Sequence, residues 1–166
     1  MSVVEHKRHA PRSTQVHWVT VSDTRTVETD SAGQAARGLV EAAGHTVGYS
    51  LLRDEPAEVA ALVGKLASDG VTEVVITSGG TGISRRDTTY EAIAGLLEKE
   101  LPGFGELFRM LSYAEIGPAA MLSRATAGIY RGLVVFATPG STAAVRLALE
   151  KLILPELGHL VAEVRK

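Results

Sequence analysis

The pattern of apolar and polar residues in the first half of the chain alternates between strand-like runs and segments of helical spacing. Three short runs rich in β-branched residues, at 16–22, 46–52 and 71–77, are typical of strands. Between them, apolar residues recur at helical spacing in 31–43 and in 54–66. An alternation of strand and helix predicts an α/β fold, a three-layer sandwich whose mostly parallel central sheet carries helices on both faces.

The second half of the chain predicts a capped helix and a late hairpin. Thr88 and Glu91 have the spacing of a capping box, so a helix should begin there. Arg131 and Gly132 separate two apolar runs, which favours a tight turn between strands. The remaining predicted strands are 128–130 and 133–138, and further helices are predicted at 104–111 and 141–152. Pro155 is predicted to start a separate final helix at 156–164.

Composition excludes several function classes. The 166 residues include no cysteine, which removes disulfides, thiolate nucleophiles and Cys-based metal sites. A net charge of -2 and 5% aromatic residues argue against a nucleic-acid partner. No apolar run approaches the roughly 20 residues that cross a bilayer, so we expect a soluble, cytoplasmic protein without a membrane partner.

The polar N-terminus is predicted to lie outside the core. Residues 1–14 are rich in histidine and basic groups and contain Pro11. They are interpreted either as an arm for oligomer contacts or as an unstructured tail. Residues 15–166 are then a single α/β domain.

The densest chemical signal is the glycine-rich loop 77–89, which follows the third predicted strand. Glycines let the backbone approach an anion closely, and several N–H groups can then converge on it. The chain has neither a Walker A sequence nor a dinucleotide fingerprint here, and a plain glycine-rich turn is the alternative. The candidate anion-binding residues are Ser78, Gly79, Gly80, Thr81 and Gly82, with Ser84, Arg85 and Arg86 nearby.

Two carboxylates are candidate magnesium ligands. Asp87 ends the glycine loop, and a carboxylate beside a phosphate is favourable when a cation lies between them. Asp54 ends the second predicted strand and could share that ion. The alternatives are that Asp87 is an acidic residue near a helix N-terminus and that Asp54 is the N-cap of the helix starting at Pro56.

A third strand end carries Pro139, Gly140 and Ser141. The turn leads into a helix, so Ser141 is either an N-cap or a binding residue. Because the carboxyl ends of parallel strands meet at one edge of a sheet, we expect these hydroxyls to border a common cleft with the glycine loop.

Five ordered blocks of sequence resemble the MoaB/MogA family of molybdenum cofactor biosynthesis proteins. The resemblance extends from about residue 14 to the C-terminus, and residues 112–117 and 155–160 resemble the MoaB branch more closely. The blocks are Thr77–Gly82 with Arg86 and Asp87, Pro102–Arg109, Ile116–Gly117, Leu122–Arg124, and Pro139–Ser141.

The resemblance implies a fold that binds molybdopterin and transfers AMP to its phosphate from Mg-ATP, releasing pyrophosphate. It implies catalytic and magnesium-binding roles for Asp54 and Asp87, and pocket positions for the loop 78–82, Glu106 and Arg124. It also adds Ser123, Pro139, Gly140 and Ser141 to the pocket. Arg85, Arg86 and Arg124 are candidate phosphate ligands, and Glu106 is alternatively a surface carboxylate.

Three functions are compatible with these residues. The first is a molybdopterin adenylyltransferase that uses Mg²⁺ and ATP. The second is an oligomer that binds molybdopterin or its precursor without adenylylating it, since the MoaB branch is functionally mixed. The third is a different phosphate-binding domain on the same fold. The resemblance implies a homotrimer or hexamer, and other proteins of the pathway are candidate partners.

Overall fold

The computed structural model describes residues 3–8 and 10–166. Within these ranges the strands are β1 (Gln15–Val21), β2 (Thr46–Leu52), β3 (Val74–Ser78), β4 (Lys99–Glu100), β5 (Thr126–Tyr130) and β6 (Leu133–Thr138). The helices are α1 (Val3–Arg8), α2 (Ser31–Ala42), α3 (Pro56–Ala67), α4 (Thr89–Leu96), α5 (Pro102–Ile116), α6 (Thr142–Ala148) and α7 (Leu154–Val164). A 3-10 turn spans Gly117–Leu122, and a π turn spans Leu149–Ile153.

The strands form one sheet in the order β2-β1-β3-β6-β5-β4. β2, β1, β3 and β6 run parallel, while β5 and β4 are antiparallel additions at one edge. The hairpin between β5 and β6 is confirmed, because Arg131 and Gly132 adopt φ values of 47° and 81° that suit a two-residue turn. The short strand β4 was not predicted from the sequence.

Each face of the sheet buries its own apolar cluster. One cluster includes Trp18 and Phe136 and is covered by α2, α5, α6 and α7. The other includes Val19 and Val75 and is covered by α3 and α4. The predicted three-layer architecture with a mostly parallel central sheet is therefore confirmed.

The predicted break between the last two helices is wrong. α6 continues through the π turn directly into α7, and Pro155 lies in the first turn of α7. A proline lacks an N–H and crowds the carbonyl one turn earlier, and a widened turn before it relieves that conflict. The proline thus marks a change of helical pitch instead of a new start.

The N-terminal helix α1 lies against α7. Lys7 forms an ion pair with Glu156, and a side chain at Gly158 would approach the Pro11 carbonyl to 2.9 Å. Residues 1, 2 and 9 of the predicted arm lie outside the described ranges. A role of residues 1–14 in oligomer contacts stays a prediction. No helix in the described part of the chain is long and apolar enough to cross a membrane.

The buried carboxylate of Asp30 organises the start of α2. It accepts hydrogen bonds from the Thr20 hydroxyl (2.6 Å), the Tyr49 hydroxyl (2.8 Å) and the Gly33 N–H (3.0 Å). Burial opposes ionisation of Asp30, yet these hydrogen bonds together hold its pKa below the ordinary value. Burial, with the bond to Asp30, raises the pKa of Tyr49 to about 12.

Asp30→Ala is expected to destabilise the fold by about 3 kcal/mol, because it leaves buried donors without an acceptor. The melting temperature should fall by about 6–12 °C in differential scanning calorimetry. Asp69→Ala is the control: Asp69 also accepts three hydrogen bonds, but it is exposed and water can replace it. Equal shifts for the two variants would contradict the role given to Asp30.

Candidate functional site

The carboxyl ends of β2, β1, β3 and β6 meet at one edge of the sheet. The Ser22 N–H donates to the Leu52 carbonyl (2.8 Å), and the Gly79 N–H donates to the Thr138 carbonyl (3.0 Å). A side chain at Gly140 would come within 3.2 Å of the Gly79 Cα. The glycine loop and the turn 139–141 therefore lie against each other, as the sequence predicted.

Glycine is required at positions 79 and 80 of the loop. Gly79 and Gly80 have φ values of 101° and 67°, which side chains rarely allow. A Cβ at Gly79 would lie 2.2 Å from the Val21 carbonyl oxygen, and one at Gly80 would lie 2.3 Å from Thr89 Oγ1. The absence of these side chains lets the loop pass tightly between the end of β1 and the start of α4.

Four consecutive backbone N–H groups of the loop have no acceptor within the described part of the chain. Those of Gly80, Thr81, Gly82 and Ile83 donate no hydrogen bond to any described residue, whereas the next N–H, that of Ser84, donates to Asp87. A run of free N–H groups after residues of positive φ is the backbone arrangement that binds anions. The loop can therefore receive a phosphate without help from a side chain.

The hydroxyl groups of Ser78 and Ser84 in the loop have internal partners. Ser78 is buried, and its hydroxyl donates to the Pro139 carbonyl over 3.3 Å. Thr81 is also buried, and the Ser84 hydroxyl donates to Asp87. These groups shape the loop, and direct ligand contacts for Ser78 and Thr81 stay predictions.

Asp54 joins the end of β2 to the start of α4. It is only 4% exposed, and its Oδ1 accepts from the Thr88 hydroxyl (2.7 Å) and the Thr89 hydroxyl (3.0 Å). The Thr88 N–H also donates to this carboxylate at 3.2 Å. Asp54 thus holds the two threonines at the start of α4, whose first N–H groups donate to the Gly80 carbonyl.

Two local capping predictions are therefore wrong. The N-cap of α3 is Glu55 and not Asp54. The capping box of Thr88 and Glu91 does not form: the Thr88 hydroxyl caps no N–H of α4, the Thr88 N–H donates to Asp54 instead of Glu91, and Glu91 pairs with Arg124. In both cases a partner distant in sequence replaces the local hydrogen bond.

Asp87 keeps one carboxylate oxygen available. Its Oδ2 accepts from the Ser84 N–H (3.2 Å) and the Ser84 hydroxyl, while its Oδ1 has no hydrogen-bond partner among the described residues. A Cβ at Gly82 would lie 2.6 Å from that Oδ2, so the carboxylate lies directly against the loop.

The residues present fit a magnesium ion that shares its coordination with a ligand. The described part of the chain holds no group of three His, Cys, Asp or Glu side chains that could bind a metal alone. Mg²⁺ commonly takes one or two carboxylates and completes its shell with phosphate oxygens and water. The Asp87 Oδ1, which has no partner among the described residues, could supply one such ligand beside the loop N–H groups.

Arg86 links three of the strand-end segments. Its guanidinium donates to Asp23 Oδ2 (2.6 Å) and Glu55 Oε1 (2.6 Å). The hydrogen bond from Arg86 lowers the pKa of Asp23, and the bonds to Asp23 and Glu55 raise the pKa of Arg86. Arg86 is a candidate phosphate ligand from the sequence, but its pairing with Asp23 was not predicted, because the two residues are 63 positions apart. Arg85 is exposed and forms no ion pair with a described residue.

Arg124 braces the glycine loop from the other side. Its Nε donates to the Thr81 carbonyl (2.8 Å) and its Nη2 to the Gly82 carbonyl (2.6 Å). It also pairs with Glu91, and its guanidinium stacks 4.8 Å from the centre of the Tyr90 ring. The hydrogen bond from Arg124 lowers the pKa of Glu91.

A cleft of about 110 Å³ borders the turn after β6. Three predicted site residues line it: Ser123, Pro139 and Ser141. Ser141 also caps α6, with its hydroxyl accepting from the Ala144 N–H (3.2 Å), so the capping interpretation is confirmed. The Gly140 carbonyl accepts from Arg25 Nη1 (3.1 Å).

Sequence analysis missed most of the cleft's other wall. That wall includes Phe108, Ser112, Glu115 and Ile116 of α5, whose spacing of four, three and one residues places them on one helix face. This spacing was the available signal. Glu106, in contrast, is exposed on α5, does not line the cleft and bonds no described side chain, so its site role stays a prediction.

Comparison with known proteins identifies the family. Residues 17–159 match the family model described as "Probable molybdopterin binding domain". Over 170 aligned residues the chain is 53% identical to the "Molybdenum cofactor biosynthesis protein B" of Bacillus anthracis, covering 100% of this chain and 99% of the relative. The chain belongs to the MoaB/MogA family of molybdenum cofactor biosynthesis.

Solved MoaB structures share the fold. A crystal structure of a molybdenum cofactor biosynthesis protein B has a TM-score of 0.91 at 50% identity and covers 95% of this chain and 99% of that one. A tungsten cofactor synthesizing protein MoaB from Pyrococcus furiosus has a TM-score of 0.84 at 40% identity, covering 95% of this chain and 100% of that one. The family resemblance predicted from the sequence is confirmed.

Proposed function

We propose that the protein is a molybdopterin adenylyltransferase. The observation that carries the proposal is the run of four free N–H groups at 80–83 beside the free Oδ1 of Asp87. Together they offer anion binding and a cation ligand at the sheet edge where ligands of open α/β folds bind.

The proposed reaction joins two anionic substrates and needs no protein nucleophile. An oxygen of the molybdopterin phosphate attacks the α-phosphorus of ATP, and the bond from that phosphorus to the β-phosphate bridge oxygen breaks. The products are adenylylated molybdopterin and pyrophosphate. Such a step depends on positioning and charge neutralisation, which suits a chain without cysteine.

The protein's own groups have distinct roles in this proposal. The N–H groups at 80–83 would hold phosphate oxygens, and Asp87 would hold a magnesium ion through its Oδ1. A bound Mg²⁺ would supply neutralisation of the phosphate charges. Ser123, Pro139 and Ser141, which line the adjoining cleft, would position the larger parts of the substrates, and Gly140 would keep the turn against the glycine loop.

The test is turnover by the purified protein. Incubation with molybdopterin and Mg-ATP should produce adenylylated molybdopterin and an equal amount of pyrophosphate, measured by chromatography and a coupled phosphate assay. Omission of Mg²⁺ should abolish both products. Absence of turnover by folded protein that binds molybdopterin would contradict the adenylyltransferase proposal.

A non-catalytic molybdopterin-binding oligomer is the second candidate. It is favoured by Asp54, whose Oδ1 already accepts from Thr88 and Thr89 and is therefore less available to a metal than Asp87. In that case calorimetry would detect molybdopterin binding that neither ATP nor Mg²⁺ changes, and the pterin would be recovered unmodified.

We infer that the oligomer forms through an apolar surface on α5 and the 3-10 turn. Large apolar side chains are exposed to solvent there, and such exposed apolar patches mark protein interfaces. We name it the α5 surface, and its exposed members are Leu107, Met110, Tyr113, Ile116, Met121 and Leu122. A second copy of this chain is the proposed occupant, in a trimer or hexamer.

The double change Met110→Glu with Met121→Glu should dissociate that oligomer. These side chains are 60% and 75% exposed, so charges there are harmless to a monomer and costly in an apolar interface. Light scattering after size exclusion should show the mass fall towards 17.5 kDa. Val71→Glu, equally exposed at 62% but outside the α5 surface, is the control. An unchanged mass in the double variant would contradict the interface.

A further inference from the structure

Four of the five N–H donors of Arg124 are engaged by described residues, because Nη2 bonds Glu91 as well as Gly82. Nε and Nη2 donate to the carbonyls of Thr81 and Gly82, and Nη1 bonds Glu91. The guanidinium is planar, and its face is covered by Tyr90. A phosphate could replace these partners only by breaking the brace that holds the loop.

The two carbonyl contacts determine where neighbouring N–H groups point. In a trans peptide the C=O and N–H of one unit point in opposite directions, and residues 10–166 contain no cis peptide. Because the Thr81 and Gly82 carbonyls face Arg124, the N–H groups of Gly82 and Ile83 face away from it. These are two of the four N–H groups without an acceptor among the described residues.

Glu91 and Tyr90 keep the guanidinium in place. Glu91 lies on α4, two residues after Thr89, which itself bonds Asp54. Arg124 thus ties the glycine loop to the same helix whose first residue bonds Asp54. This arrangement resists rotation of the two peptide planes.

We propose that Arg124 is a positioning residue that aims the Gly82 and Ile83 N–H groups at a substrate phosphate without contacting the substrate. The inference rests on the proposed function and goes beyond it, because it replaces the direct phosphate contact that the sequence suggested with an indirect role. Glu91 acts with it by holding the guanidinium.

Glu91→Gln separates the two roles. If Arg124 only positions the loop, weakening its anchor should lower kcat/KM for molybdopterin adenylylation by about 3- to 10-fold. If Arg124 instead contacted phosphate, freeing it from Glu91 would lower KM and raise kcat/KM. Arg124→Lys should reduce kcat/KM by about 10- to 100-fold, since a single ammonium cannot hold two peptide planes. The control is Arg131→Lys, because Arg131 also stacks on a tyrosine; its kcat/KM should equal that of the wild type.

A readout without substrate keeps this inference separate from the enzyme proposal. In ¹⁵N relaxation measurements, the order parameters of the Gly82 and Ile83 amides should fall from about 0.85 towards 0.6 in both Arg124→Lys and Glu91→Gln. Amides of β1 should keep their values, and the melting temperature should change little. Unchanged order parameters at 82 and 83 would overturn the inference even in an active enzyme. If the wild-type protein shows no turnover but the two variants show the predicted fall in order parameters, only the proposed function is overturned.

Discussion

Asp87→Asn should lower the rate of adenylyl transfer by about 10²- to 10³-fold. The change removes the negative charge beside the loop while keeping the side chain's size, so the cation loses its protein ligand. Molybdopterin binding should stay within about 3-fold, because the free N–H groups at 80–83 are untouched. Turnover is measured with saturating Mg-ATP, and binding is measured by isothermal titration.

Asp69→Asn is the matched control for Asp87→Asn. Asp69 is exposed in the turn after α3 and is hydrogen-bonded to Val71 and Thr72, outside the site. It should leave turnover unchanged. Wild-type rates in Asp87→Asn would contradict the catalytic role of Asp87, and a parallel loss of binding and turnover would assign it to ligand binding instead.

Gly80→Ala should abolish the site and lower stability by about 3 kcal/mol. The new methyl group would lie 2.3 Å from Thr89 Oγ1 and 2.4 Å from Asp54 Oδ2, at a φ of 67°. Relief requires the loop to move away from α4, which displaces the free N–H groups. Turnover should fall more than about 100-fold, and thermal unfolding should begin at a lower temperature.

Gly95→Ala tests whether that effect belongs to the loop. Gly95 lies in α4, and a Cβ there would meet nothing within 4 Å. Alanine should therefore stabilise the protein by about 0.5–1 kcal/mol and leave activity intact. Similar losses in both glycine variants would contradict the geometry assigned to the loop.

The sequence predicts the fold well where periodicity is long and consistent. Runs such as 16–22 and 31–43 indicate their structure by themselves, and alternation then implies the parallel sheet. The two-residue strand β4 has no such pattern, because its residues Lys99 and Glu100 are exposed and only pairing with β5 defines it. The helix break predicted at Pro155 was wrong because a proline can follow a widened turn within a continuous helix as well as start a new one.

The site is predicted in outline but not in its hydrogen bonds. Glycines and hydroxyls at strand ends identify the correct edge of the sheet, since parallel strands must end together. The partners of Asp54, Arg86 and Arg124 lie 34, 63 and 42 residues away, so no local spacing indicates them. Capping rules failed at Thr88 for that reason: a distant carboxylate was the better acceptor.

The most direct test is a crystal structure of the protein with molybdopterin, Mg²⁺ and a non-hydrolysable ATP analogue. The proposed function predicts phosphate oxygens within about 3 Å of at least two of the backbone nitrogens at 80–83. It also predicts a magnesium ion bound to Asp87 Oδ1. A structure in which both ligands bind away from the strand ends, with those N–H groups and Asp87 solvated, would contradict it.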